Sequence, residues 1–300
     1  MNHPKRSLIE KELYRRKAGW WGEKEVDKKL KLMDQDKYFI LGDLRLPNGE
    51  TFFQIDTLLL TTRFALIIEA KNISGTLHFD LDTHQLIRKN EDGTTEGFGD
   101  PVSQARFHQQ QLREWFIKHK LPLLPIDFLM IITNSNTIFY ITPSGHPFSR
   151  KIHSISGLTW EIDKLDVQFK KEVISEKEIS KISKALIKAH TPLIYEILQQ
   201  YGISKSELLT GVQCPDCGSL PLTYHRGKWH CPNCKGAFKD AHLPALQDYS
   251  LLYQSTITNS QFRRFLRISN SDVAAKMLKE MDLEVTGTKR GRVYHLKKLW

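Results

Sequence analysis

Asp56, Glu69 and Lys71 have the types and spacing of a hydrolytic centre. They lie in Phe53-Gln54-Ile55-Asp56 and Ile67-Ile68-Glu69-Ala70-Lys71, two runs rich in β-branched and aromatic residues, with Thr61, Thr62 and Arg63 as the turn between them. Residues 51–71 therefore predict a β-hairpin. Side chains alternate along a strand, so Glu69 and Lys71 share a face, and a two-residue turn at Thr62 and Arg63 sets Asp56 opposite Glu69. Opposed carboxylates destabilise a strand pair unless a cation joins them. A hard divalent ion, magnesium or manganese, suits such oxygens, with the Ala70 carbonyl as a further donor. It would act as a Lewis acid in phosphodiester hydrolysis, while Lys71 orients water or offsets developing charge. The same three charges also fit a salt bridge on an exposed strand face, and a one-residue slip of the turn would part Asp56 from Glu69. Spacing alone does not choose between these readings.

The second chemistry-bearing set is Cys214, Cys217, Cys231 and Cys234, two C-x-x-C pairs separated by 13 residues. Two such knuckles supply the tetrahedral four-sulfur set that zinc prefers, and with every position a thiolate the zinc is structural. A redox dithiol is the other use of one C-x-x-C, and the second pair argues against it. Tyr224 and Trp229 flank Gly227 as in the hairpin of a zinc ribbon, placed at 210–240, which leaves His225 and His230 superfluous as ligands. The charged N-terminus lacks the apolar centre of a secretory signal, so metal ligation and a cytoplasmic location are expected rather than disulfides.

Elements must hold these groups in place. Residues 8–32 carry helical periodicity interrupted at Gly19 to Gly22, which predicts a helix, a kink and a second helix, with Glu23 near the second start. The Trp20-Trp21 pair is expected to pack rather than to stack on nucleic acid. Strands are expected at 76–79, 85–88, 129–133, 137–142 and 151–155, and a loop over the polar stretch 90–99. Asp100-Pro101 opens a helix to about residue 120, with Asp as cap and Pro at the first helical position. Ser175 and Glu178 form a capping box before another helix that Thr191-Pro192 ends. This order describes an α/β domain, a central mixed sheet flanked by helices, over 1–202. No stretch approaches the roughly 20 apolar residues that a membrane crossing needs, so no membrane partner is expected.

The hairpin, Gly19-x-x-Gly22-Glu23 before it, and Asp100-Pro101 to Gln104-Ala105 after it resemble the nuclease-related (NERD) domain, a branch of the PD-(D/E)xK nuclease superfamily, over about residues 15–135. The resemblance implies a divalent-metal nuclease in which Glu23 is the acid of the first helix, Asp56 the strand aspartate, Glu69 and Lys71 the E-x-K pair, and Gln104 the glutamine of the following helix. Ile55 stands where that signature often has proline, a residue that shapes the turn and ligates nothing. On the residues alone, Glu23 also fits a helix-dipole acid and Gln104 a solvent-facing polar residue.

The formal charge of +10 is concentrated late: residues 1–200 hold 29 basic against 26 acidic residues, and residues 201–300 hold 15 against 8. Within 245–300, Thr258 and Gln261 form a capping box for a helix with Phe262, Phe265 and Leu266 on one face and Arg263, Arg264 and Arg267 off it. A second helix exposes Lys276 and Lys279, and a hairpin follows with Lys289, Arg290 and Arg292 at its tip. Helix, turn, helix and basic hairpin resemble a winged helix-turn-helix, and these eight cations are the expected nucleic-acid contacts. DNA is the expected partner, although nothing in the residues discriminates RNA. The competing function is a DNA-binding or regulatory protein that uses the first domain as a non-catalytic scaffold. A small interaction domain with a solvated basic surface also accommodates the C-terminal module. The sequence does not specify an oligomeric state.

Overall fold

The computed structural model describes residues 3–193 and 195–299; the side chains of residues 290, 298 and 299 lie outside the described set. The chain forms two compact units, Met1–Leu193 and Ile194–Trp300.

The first unit opens with α1 (Arg6–Leu30), followed by β1 (Phe39–Asn48), β2 (Thr51–Leu60), β3 (Ala65–Lys71), β4 (Thr76–Asp80), β5 (Gln85–Lys89) and β6 (Thr95–Gly99). After α2 (Pro101–Lys118) come β7 (Ile126–Ile132), β8 (Ile138–Thr142), β9 (Ile152–Ser154), α3 (Leu158–Gln168) and α4 (Glu176–Ala189). Five strands make a mixed sheet in the order β1-β2-β3-β7-β9, and four make a second in the order β6-β5-β4-β8. The main sheet buries both faces. Leu58, Leu60, Ile67, Met130 and Ile132 pack with Ala105, Leu112 and Phe116 of α2 on one side. Leu59, Leu66, Ile68, Leu129 and Ile131 pack with Val26 and Leu30 of α1 and Ile162 of α3 on the other. Burial on both faces explains why β3 and β7 read as continuous apolar runs.

Two expectations need correction. α1 is unbroken through Gly19 and Gly22. Gly22 instead lets the helix approach the sheet: a Cβ there would lie 3.0 Å from both Asn72 Cβ and Thr133 Oγ1, while one on Gly19 would meet nothing within 4 Å. Residues 95–99, expected to be a loop, form β6, paired with β5 from Lys89↔Thr95 to Gln85↔Gly99. Trp20 and Trp21, expected to pack, lie half-exposed against each other, edge to face with centroids 4.9 Å apart.

The second unit begins with α5 (Ile197–Gln200). It continues with a three-stranded sheet of β10 (Thr223–His225), β11 (Lys228–His230) and β12 (Ala237–Phe238), then α6 (His242–Leu252), β13 (Thr256–Ile257), α7 (Asn259–Leu266), α8 (Ser271–Glu280), β14 (Glu284–Thr286) and β15 (Val293–His295). β14 and β15 pair antiparallel, and β13 pairs with the far side of β15. The cysteine-bearing segment and the helices after it share one core, which includes Trp229, Leu246, Phe262, Leu266 and Leu278. Trp229 Nε1 donates to His242 Nδ1 at 3.2 Å, joining β11 to α6.

Candidate active site

The turn after β2 closes with Thr61 N–H donating to Phe64 O at 2.9 Å. The ladder runs from Leu60↔Ala65 to Thr57↔Ile68 and stops one step short of the level of Asp56 and Glu69. Asp56 is held there by the Ala70 N–H, which donates to its Oδ2 at 3.0 Å.

A break in strand alternation aims Asp56. Phe53 and Ile55 join the same core cluster as Leu58 and Leu60, although strict alternation puts Ile55 and Leu58 on opposite faces. The partner strand is irregular at the same level: the register steps from Gly42↔Thr57 to Leu44↔Ile55, and Asp43 between them has φ +49°. An aspartate tolerates this left-handed conformation better than most residues, and such kinks re-aim side chains next to functional sites.

Glu69 is 1% exposed. His108 on α2 donates through Nδ1 to its Oε1 at 2.7 Å, and Lys71 Nζ stands 4.0 Å from its Oε2. Lys71 Nζ also donates to Gln104 Oε1 at 3.4 Å. The start of α2 fixes both helix residues, because the Asp100 carboxylate accepts from Val102 N at 2.9 Å and Ser103 N at 3.0 Å. Gln104 and His108, four apart, project from successive turns of one helix face. On the opposite face of the sheet α1 brings Glu23, next to the close-packed Gly22, and Asn72 Nδ2 donates to Ala18 O at 2.9 Å across the same contact.

The electrostatics match an acidic cluster short of cations. Burial, reinforced by the neighbouring Glu69 carboxylate, pushes the Asp56 carboxyl from 3.8 up to about 7 against the Ala70 N–H and Lys71. Burial likewise raises Glu23, and Asp43, Asp27 and Glu69 add to it while Lys24 opposes. Asp56 and Glu69 together offer hard oxygen donors in a partly desolvated place, so the donor set fits a divalent cation. Glu23 does not join them in a compact set: among the described residues, the four cysteines are the one group of three or more His, Cys, Asp or Glu whose ligand atoms converge.

Those cysteines stand ready for a metal. Their ligand atoms all lie within 4.8 Å of one another, with Cys214 and Cys234 sulfurs 3.6 Å apart and Cys217 and Cys231 sulfurs 3.5 Å apart. Tetrahedral sulfur bonds of about 2.3 Å imply edges of roughly 3.8 Å, close to this packing. The Cys217 thiol is pulled down to about 6 by the Ser219 N–H and the Asn233 side chain, favouring the ligating thiolate.

The basic residues of the second unit are placed less uniformly. Arg263 donates through Nε to Asn259 Oδ1 at 3.1 Å, and Arg267, in the left-handed region at the end of α7, donates to Thr210 Oγ1 at 3.2 Å. Both cations therefore have intramolecular partners. Lys276 pairs loosely with Glu280 at 3.9 Å. Arg264, Lys279, Lys289 and Arg292 are exposed, and the Arg290 side chain lies outside those described.

Two side chains at the first site were not anticipated from the sequence. His108 could have been found from its i+4 spacing to Gln104. Asp43 was hidden because β1, with mixed burial and no clean alternation, gives no strand signal.

A mixed sheet between helices, with a strand aspartate, an E-x-K pair and a helix glutamine near the C-terminal end of β3, is consistent with a nuclease-like fold. Residues 18–133 match the family described as the nuclease-related domain (NERD). Glu23, Asp56, Glu69, Lys71 and Gln104 all fall within the match. The four-cysteine cluster supports a zinc ribbon in the second unit. No curated protein and no solved structure matches the chain.

Proposed function

We propose that the first unit hydrolyses phosphodiester bonds in DNA with magnesium or manganese held by Asp56 and Glu69, while the second unit retains the nucleic acid. The observation that carries this reading is Asp56, a carboxyl driven up to about 7 by burial and by Glu69, within a nuclease-related domain. A bound divalent ion supplies Lewis-acid polarisation of a phosphoryl oxygen and a more acidic water. The protein's own groups have separate tasks. The His108 hydrogen bond fixes the Glu69 rotamer, and the Ala70 N–H orients Asp56. Lys71, directed by Gln104, offsets negative charge as it grows on the phosphoryl oxygens. Glu23, raised first by its own burial and also by Asp43, Asp27 and Glu69, assists as an additional acidic group.

In the second unit the cysteines hold one structural zinc, and α6, β13, α7, α8 and the β14–β15 hairpin act as a winged helix-turn-helix. Exposed Arg264, Lys279, Lys289 and Arg292 contact phosphates, and Arg290 at the same tip extends that set by its position in the sequence. Arg263, Arg267 and Lys276 contribute charge while holding their intramolecular partners. The ribbon and this module share one core through Trp229, Leu246 and Phe262.

The test is cleavage of DNA by the full chain with magnesium or manganese. Lys71→Ala should lower the rate by about a hundredfold or more while DNA binding is kept, and Glu69→Gln should do the same with the buried hydrogen-bonding shape preserved. A non-catalytic scaffold is the second reading, favoured because Glu23, Asp56 and Glu69 do not form a convergent ligand group among the described residues. Inactivity with either metal on single-stranded DNA, double-stranded DNA and RNA establishes it.

A further inference from the structure

The solvent-facing side of α2 carries a groove of about 460 Å³, within the range of small-ligand sites. Ser103, Arg106, Phe107, Gln110 and Arg113 form one stripe at helical spacing along it, and Ile126 closes its far end. From Ser103 to Arg113 the groove extends about 15 Å along the helix. One end adjoins Gln104 and therefore Lys71. The other lies at Ile126, which pairs with Ala65 at the opposite end of β3 from Lys71. The groove thus leads away from the acidic site along the helix that helps to build it.

Its lining is unusual for a soluble surface. Phe107 is 58% exposed. No lining side chain is acidic, and Arg106 and Arg113 form no ion pair among the described residues. Arg106 is steadied over the Phe148 ring, its guanidinium carbon 4.6 Å from the centroid. Gln110 donates to Glu114 at 2.8 Å, which leaves its own carboxamide oxygen available to a polar edge. An exposed aromatic face between two uncompensated guanidinium groups is the chemistry that holds a single nucleic-acid strand: the ring stacks on an unpaired base and the cations meet the flanking phosphates. A duplex keeps its base faces covered and offers nothing to Phe107.

We propose that this α2 groove is a single-strand subsite, which binds an unpaired nucleotide segment beside the scissile phosphate with the base on Phe107 and phosphates on Arg106 and Arg113. The proposal rests on the nuclease reading for its place beside the reaction, but not for its test. The full chain, in chelator so that nothing is cleaved, is irradiated with a single-stranded oligonucleotide carrying 5-iodouracil, and the adducts are mapped by peptide mass spectrometry. Adducts should fall within α2 around Phe107. Arg113→Glu, at an exposed position, should lower their yield by about tenfold, and Phe107→Trp should retain it by keeping a stacking face. A duplex of the same sequence should leave α2 unlabelled. Labelling confined to the second unit, equal labelling of α2 by the duplex, or indifference to Arg113→Glu overturns the subsite. Adducts on α2 in a chain that cleaves nothing overturn the nuclease reading alone, and cleavage without α2 adducts overturns the subsite alone.

Discussion

The cysteine cluster of the second unit and the carboxylate cluster of the first are both small groups of ionisable side chains, and they are built in opposite ways. Each pair of cysteines sits three residues apart in a turn, so local backbone geometry delivers two sulfurs at once and a short hairpin joins the pairs. The turn of that hairpin, Arg226 and Gly227 with φ of +47° and +81°, is set by adjacent residues. The acids and their partners come from α1, β1, β2, β3 and α2, and each is aimed by something distant in sequence: Asp56 by a kink opposite Asp43, Glu69 by His108, Glu23 by the close approach at Gly22. A site made of local turns assembles with its backbone. A distributed site is only as precise as the core that brings its elements together.

This contrast can be broken at several points. Cys231→Ser, at a buried ligand, should have the largest effect: bound zinc falls from about one per chain, and on the order of 10 kcal/mol of metal-linked folding energy leaves the second unit. Metal analysis and denaturant unfolding check this, and an unchanged unfolding midpoint contradicts a structural metal.

His108→Ala should come next, at about 3 kcal/mol, since it strands a carboxylate that is 1% exposed. His108→Gln, which can still donate, should recover part of the loss. Equal losses in the two variants, measured by thermal unfolding, would mean that His108 acts by filling space rather than by holding Glu69.

Asp56 makes a pH-dependent prediction. The folded carboxyl keeps its proton up to about pH 7, the unfolded one only up to about 3.8. Between those values the folded state holds more protons, so metal-free stability is fullest below pH 4 and falls as pH rises to 7. Asp56→Asn should flatten that slope and stabilise the metal-free protein at pH 8 by about 2 kcal/mol, a figure discounted because Asp56 keeps some solvent contact. Unfolding midpoints at pH 4, 6 and 8 decide the matter, and an unchanged slope removes Asp56 from the buried cluster.

The smallest pair of effects separates two glycines of one helix. Gly22→Ala should cost about 1–2 kcal/mol, because Asn72 and Thr133 must give way. Gly19→Ala should gain up to about 1 kcal/mol from helix propensity, with nothing within 4 Å to obstruct it. A gain at both positions would show that α1 does not press on the sheet there.

Much of this architecture was legible in the sequence where the causes are local. The Asp100 cap and the Ser175–Glu178 capping box set helix starts because a side chain satisfies backbone N–H groups two or three residues away. The β2–β3 register followed from a two-residue turn, and the four thiols followed from their spacing. What could not be read depended on neighbours remote in the chain. β6 is exposed along its length and takes strand form from pairing with β5, so no apolar pattern marks it. Gly22 looks like a helix breaker until the sheet is seen to lie 3.0 Å beyond its missing Cβ.

The sequence by itself determined which residues could do chemistry and which turns and caps hold them, because those interactions span only a few residues. Tertiary structure alone decided that Asp56 is aimed by an irregular strand, that His108 rather than Lys71 holds Glu69 most closely, and that the face of α2 away from the core opens as a basic, aromatic groove. Those outcomes depend on burial, close approach and the mutual effect of charges brought together by folding, none of which exists until the sheet and its helices have packed.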